Sequence, residues 1–123
     1  QLRRWVNALD QQPSALVTVG EYHRKPVGFL IGEADTTPNP LSEWQKRAFI
    51  HALWVSPEHR KQGIGRKLVE TFEAAIREYD IPYCDLAYHP KNEIAQRFWQ
   101  AVGYQPAQMT ARKIFGLQEI EQA

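Results

Sequence analysis

The chain has 123 residues, 43% of them hydrophobic and 24% charged, and fifteen Lys and Arg against fourteen Asp and Glu leave a net charge of +1. That length suits one core rather than two domains, and the near-neutral balance supplies no overall field that would favour nucleic acid. No apolar run approaches the roughly 20 residues of a membrane span, and a single cysteine, Cys84, excludes an internal disulfide.

Leu2, Trp5, Val6 and Leu9 fall at i, i+3, i+4 and i+7, which predicts a short amphipathic helix ending before Pro13. The period then changes. "ALVTVGEY" (15–22) and "VGFLIGEA" (27–34) read as strands, with "HRKP" as the hairpin turn between them and "DTTPNPLSE" as a loop after them. "RAFIHALWV" (47–55) is a third strand, ended by "SPEHR". From Ile64 the spacing of Leu68, Phe72, Ala75, Ile76 and Tyr79 predicts a helix that Pro82 stops. "YCDLAYH" (83–89) is a further strand. Asn92 suits an N-cap for a helix turning Ile94, Ala95, Phe98, Trp99 and Val102 inward, with Gly103 as its left-handed C-terminal cap. "MTARKIF" is expected as a last strand. The order predicts an α/β (α+β) domain, a mixed sheet covered by helices.

One stretch asks for a ligand. "HRKQGIGRKL", His59 to Leu68, sets two glycines among five basic side chains where a helix begins. The first N–H groups of a helix lack partners and its dipole leaves that end partly positive, so an anion such as phosphate suits it. Taken alone, the glycine pair reads equally well as a tight turn or a close strand crossing. It lacks the Gly-Lys-Ser/Thr ending of a Walker loop and the third glycine of a dinucleotide fingerprint.

In this context "LWVSPEHRKQGIGRKLV" resembles the principal cofactor motif of the GNAT superfamily of acyl-CoA-dependent N-acyltransferases. "NEIAQRFWQAVGY" resembles that family's second motif, and "VGFLIGEA" its strand before the cofactor strand. The resemblance runs from Ala15 to about Phe115. It implies a central, mostly antiparallel sheet with one splayed parallel pair, "RAFIHALWV" beside "YCDLAYH", and flanking helices. Acyl-CoA would lie in that splay, its diphosphate on the amides of Lys61, Gln62, Gly63, Ile64, Gly65 and Arg66. Arg60, Lys61, Arg66 and Lys67 would serve the negative charge of the nucleotide end. The pantetheine arm would pair with the backbone of Leu53, Trp54 and Val55 like an added strand. Asn92 would touch the arm, and Phe98 and Trp99 would complete the coenzyme wall.

The implied reaction is attack of a primary amine, on a small molecule, peptide or protein, at the thioester of acetyl-CoA. It needs a base, an oxyanion donor and a leaving thiolate. The Val55 N–H is the implied oxyanion donor. His51 stands four residues earlier, where many relatives carry a glutamate, and an imidazole, ordinarily titrating near ~6.5, accepts a proton at neutral pH. Strand alternation puts His51, Leu53 and Val55 on one face, so His51 reads equally as a hydrogen-bonded wall residue; Glu33 is the next candidate base. Many relatives place a tyrosine where this chain has Trp99, and an indole is no practical acid, so Tyr88 or Tyr104 would substitute as the acid, or the thiolate would leave without one at some loss of rate. Cys84 reads as a small hydrophobe, and His23, His51, His59 and His89 show no metal-ligand spacing.

Acetyl-CoA and an amine acceptor are thus the implied partners, with no metal, no nucleic acid and no membrane. A homodimer through exposed apolar faces is compatible with the pattern. One cysteine and a start without an apolar signal core point to a cytoplasmic location. Relatives begin with a strand and a helix ahead of the helix that "LRRWVNAL" resembles. The expectation is one domain over 1–123 without them, either because the chain starts inside the domain or because a neighbouring subunit completes it. A reading from another class is a GNAT-like acyl-CoA-binding sensor or scaffold without turnover, which Trp99 favours and His51 opposes.

Overall fold

The computed structural model describes residues 2–5, 14–35 and 46–116. Five strands form one sheet in sequence order: β1 (Leu2–Trp5), β2 (Ser14–Tyr22), β3 (Lys25–Asp35), β4 (Arg47–Val55) and β5 (Cys84–Leu86). β1 to β4 run antiparallel, and β5 joins β4 in parallel. Helix α1 (Ile64–Arg77) links β4 to β5, as a parallel pair requires, and α2 (Glu93–Ala101) follows β5.

The β2–β3 hairpin turns on His23 and Arg24, both left-handed at φ 52° and 66°. A two-residue turn of that hand matches the twist of its strands. Along β3 the even positions Gly28, Leu30, Gly32 and Ala34 are buried, and α1 lies across them with Leu68, Val69, Phe72, Ala75 and Ile76 inward. The core gathers Leu30, Ile50, Leu68, Phe72, Ile76 and Trp99. The helix can approach this closely because β3 has no side chain at Gly32. A Cβ there would sit 2.5 Å from Phe72 Cζ and 2.8 Å from the Phe49 carbonyl. Gly32→Ala should therefore cost about 1–3 kcal/mol of stability, seen as a lower urea midpoint. An unchanged midpoint would mean that α1 does not pack at this distance.

α2 starts at Asn92, whose Oδ1 accepts from Ala95 N–H at 3.1 Å. It ends in a Schellman motif: Tyr104 N–H donates to Trp99 O at 2.8 Å and Gly103 N–H to Gln100 O at 3.1 Å, with Gly103 at φ 104°. The Tyr104 ring meets Trp99 edge-on at 5.6 Å, and its hydroxyl donates to Glu73 Oε2 at 2.8 Å, tying the end of α2 to α1. Burial, then the neighbouring Cys84 and Glu73, holds the Tyr104 phenol well above its ordinary pKa. Burial likewise pushes the Cys84 thiol up to about 11, so it is protonated at neutral pH and packs as a small apolar group.

Five expectations change. Leu2–Trp5 is a strand, paired from Leu2↔Gly20 to Trp5↔Val17, and not a helix. The edge of β2 pairs each of these four residues and so satisfies the backbone groups that a helix would have bonded internally; Val6 and Leu9 lie outside the described residues. "MTARKIF" is no strand: it lies exposed, with Met109 93% and Phe115 78% accessible, and among the described residues no strand pairs with it. The "YCDLAYH" strand shortens to Cys84–Leu86. Ile94 and Tyr79, expected inward, are 79% and 49% exposed, and Tyr79 lies beyond the end of α1 at Arg77. The loop expected over "DTTPNPLSE" falls, apart from Asp35 at the end of β3, outside the described residues.

Candidate active site

The site begins with a fault in the sheet. Ile31 pairs with Ala52 and Gly32 with Ile50, so His51 is an extra residue on β4, a β-bulge. Before it Ala48 and Ile50 are buried in the core; after it Leu53 and Val55 pack against that core. The bulge thus shifts the phase by one, and His51 does not share a face with Leu53 and Val55 as simple alternation predicts. Its side chain is instead exposed, with Phe49 at 4.9 Å between ring centroids and Nε2 3.1 Å from Glu33 Oε1. A carboxylate on Nε2–H leaves the imidazole lone pair on Nδ1.

The same point is where β5 leaves. β5 pairs only with Ala48, Phe49 and Ile50, so among the described residues β4 beyond the bulge has a free edge on that side. Ser56 N–H donates to Val27 O at 2.7 Å, toward β3. Because backbone polar groups alternate sides along a strand, the N–H and C=O groups of Leu53 and Val55 point the other way, into the gap.

The chain then turns through a 3-10 turn (Pro57–His59), steadied by Ser56 Oγ and His59 Nδ1 at 2.8 Å and by Arg60 Nε–H donating to Val55 O at 2.9 Å. Lys61 and Gly63 are left-handed, at φ 63° and 83°. Gly63 precedes α1 with no side-chain cap, and the first intrahelical bond is Lys67 N–H to Gly63 O at 3.1 Å. The N–H groups of Ile64, Gly65 and Arg66 therefore have no intrahelical acceptor. A Cβ on Gly65 would lie 3.2 Å from the Phe98 ring, so the glycine lets α2 close onto the start of α1. Arg66 Nη2 donates to Ala101 O at 3.2 Å and spans the two helices.

These parts wall a cleft of about 890 Å³. Of the residues expected at the site, His51, Leu53, Trp54, Val55, Arg60, Lys61, Gly63, Ile64, Gly65, Arg66, Asn92, Phe98 and Trp99 line it. Three do not. Gln62 bonds back to Glu58 O at 3.4 Å, Lys67 is exposed along α1, and Tyr88 packs half-buried against the core. The wall also includes His59, Leu86, Ala87 and Ile94. His59 sits inside the glycine motif and was findable there, whereas Leu86 and Ala87 become wall residues only because β5 parts from β4. No Asp or Glu lines the cleft among the described residues, while His51, His59, Arg60, Lys61 and Arg66 do. A polyanion fits such a wall. Among the described residues no group of three or more His, Cys, Asp and Glu could hold a metal ion, and no helix is long and apolar enough to cross a membrane.

A mixed sheet parted between two parallel strands, with a left-handed glycine opening the helix beside the gap, is the architecture the motifs implied. The sequence profile of the acetyltransferase (GNAT) family matches residues 1–104, and the chain belongs to that family. It is 27% identical over 101 residues to N-alpha-acetyltransferase 20 of Dictyostelium discoideum, an overlap of 81% of this chain and 56% of that protein. The chain thus spans little more than half the length of that relative. The fold is similar to that of a tetramutant of the BH1408 protein of Bacillus halodurans, with a TM-score of 0.75 at 24% identity over 88% of this chain and 70% of that one. It is also similar to the aminoglycoside N-acetyltransferase AAC(6')-Iy in complex with CoA, with a TM-score of 0.73 at 15% identity over the same shares of the two chains, 88% and 70%.

Proposed function

We propose that this domain transfers an acetyl group from acetyl-CoA to a primary amine. The observation that carries the reading is the His51–Glu33 pair, 3.1 Å apart at the bulge, beside the unpaired edge of β4. A coenzyme-binding module without turnover has no use for an acid–base pair at that point, and for this reason the enzyme is preferred.

Acetyl-CoA supplies the acyl thioester. The uncapped start of α1 with Lys61 suits its diphosphate, the free edge of β4 suits its pantetheine amides, and Asn92, Phe98 and Trp99 form the opposite wall. His51 Nδ1 takes the proton as the amine nitrogen bonds to the thioester carbon, and Glu33 holds the ring and balances its developing charge. The carbonyl oxygen becomes an oxyanion that accepts from a backbone N–H. At ~3.3 Å per residue Val55 lies about 13 Å along β4 from His51, and Leu53 about 7 Å. A base must lie within hydrogen-bond reach of its proton, directly or through one water. The Leu53 N–H, rather than that of Val55, therefore receives the oxyanion, and the Val55 N–H pairs with the pantetheine arm. The carbon–sulfur bond then breaks and the thiolate departs as an anion, since no tyrosine or carboxylic acid lines the cleft among the described residues.

The relative named for N-alpha-acetylation and the aminoglycoside enzyme both imply amine acceptors, and a primary amine is the chemistry they share. The test is thiol release from acetyl-CoA over a panel of peptides and aminoglycosides. Amine-dependent release that rises with pH through the neutral range supports the reading. Binding of acetyl-CoA without release by any amine would favour the sensor.

A further inference from the structure

Beyond its last pairing with β5, β4 offers four backbone groups to the cleft, the N–H and C=O of Leu53 and of Val55. One of them is taken. Arg60, whose side chain is exposed and lines the same cleft, donates its Nε–H to Val55 O at 2.9 Å. That bond takes one of the oxygen's two lone pairs and holds the Arg60 side chain against it on the cleft side, so the carbonyl is a poorer acceptor for an incoming amide. The bond also joins the end of β4 to the turn that carries Lys61 and Gly63, which fixes the diphosphate seat relative to the strand.

We propose, resting on the acyl-CoA reading above, that Arg60 is a positioning residue that acts through this hydrogen bond and not through its charge. By closing the Val55 carbonyl it leaves the pantetheine arm one register, against Leu53 and the Val55 N–H. With the carbonyl open, the arm gains a second acceptor two residues along. A slip by that step carries the thioester about 7 Å away from His51. Arg60 therefore governs how often bound acetyl-CoA is reactive more than how tightly it binds.

Three variants separate bond from charge. Arg60→Ala removes both. Arg60→Gln places Nε2 the same number of bonds from Cα as the arginine Nε, and so keeps the donor without the charge. Arg60→Lys keeps the charge but moves the donor outward. Each is measured for acetyl-CoA affinity by calorimetry, for kcat with one saturating amine, and for melting temperature. Arg60→Ala should lower kcat about tenfold or more while affinity falls less, and Arg60→Gln should recover most of that kcat where Arg60→Lys does not. Recovery by lysine and not by glutamine would show that the charge is what matters and overturn the proposal. So would an alanine variant equal to wild type, or one whose kcat loss merely follows a lowered melting temperature. Failure of the wild-type protein to bind acetyl-CoA would overturn the acyl-CoA reading itself, and this inference with it.

Discussion

His51→Ala should lower turnover about a hundredfold at neutral pH while leaving acetyl-CoA affinity within about twofold of wild type. Positioned general bases contribute on the order of 10²–10⁴ in rate, and the lower end suits a pair this open to solvent, where water and the amine's own ionisation supply part of the path. The His51 side chain is 49% exposed and its bulge is set by the pairing of Ile31 with Ala52 and Gly32 with Ile50, so the fold should survive the change. Glu33→Gln should cost less, since it removes the orienting carboxylate and leaves the imidazole. Steady-state kinetics beside calorimetry make the check. Full activity in His51→Ala would take this residue out of the mechanism and turn attention to Glu33.

Gly63→Glu should reduce acetyl-CoA affinity by about a hundredfold or more, through two effects that add. At φ 83° the backbone is left-handed, which costs a side-chain-bearing residue roughly 1–2 kcal/mol. No atom lies within 4 Å of a Cβ built there, so the new side chain enters open cleft instead of disrupting the core. A carboxylate then stands where the diphosphate is expected, and a like charge in contact costs several kcal/mol. Gly63→Ala carries the strain without the charge and should bind with an intermediate affinity. Equal binding by both variants would move the diphosphate away from the start of α1.

The parts of the fold set by local chemistry were legible. The turn at His23 and Arg24, the helix from Ile64, the Asn92 cap and the Gly103 terminus all rest on residues acting on their immediate neighbours. The glycine motif and the second motif together pointed to both walls of the cleft, and thirteen of the residues expected at the site line it. What could not be read depended on partners far along the chain. Leu2 to Trp5 follow a helical period yet pair as a strand, because the edge of β2 is there to receive them. "MTARKIF" reads as a strand yet has no ladder among the described residues, because pairing needs a neighbour that sequence pattern does not supply.

The bulge is the most instructive case. Nothing in "RAFIHALWV" marks His51 as an extra residue, since the mismatch exists only between β4 and β3, and Gly32 opposite it reads simply as a weak strand position. Yet the bulge decides that His51 meets Glu33 and not the core. The free edge of β4 is similar: it follows from β5 stopping at Leu86, which the apolar residues Ala87 and Tyr88 beyond it conceal.

The most direct test is a parallel calorimetric titration of the protein with acetyl-CoA and with ATP. Both carry adenine and phosphates, but only acetyl-CoA has an arm to lay along Leu53 and Val55. Micromolar binding of acetyl-CoA with ATP at least about tenfold weaker is the expected result. No binding of acetyl-CoA, or ATP bound as tightly, would contradict the claim that the parted strands and the opening of α1 form one coenzyme site.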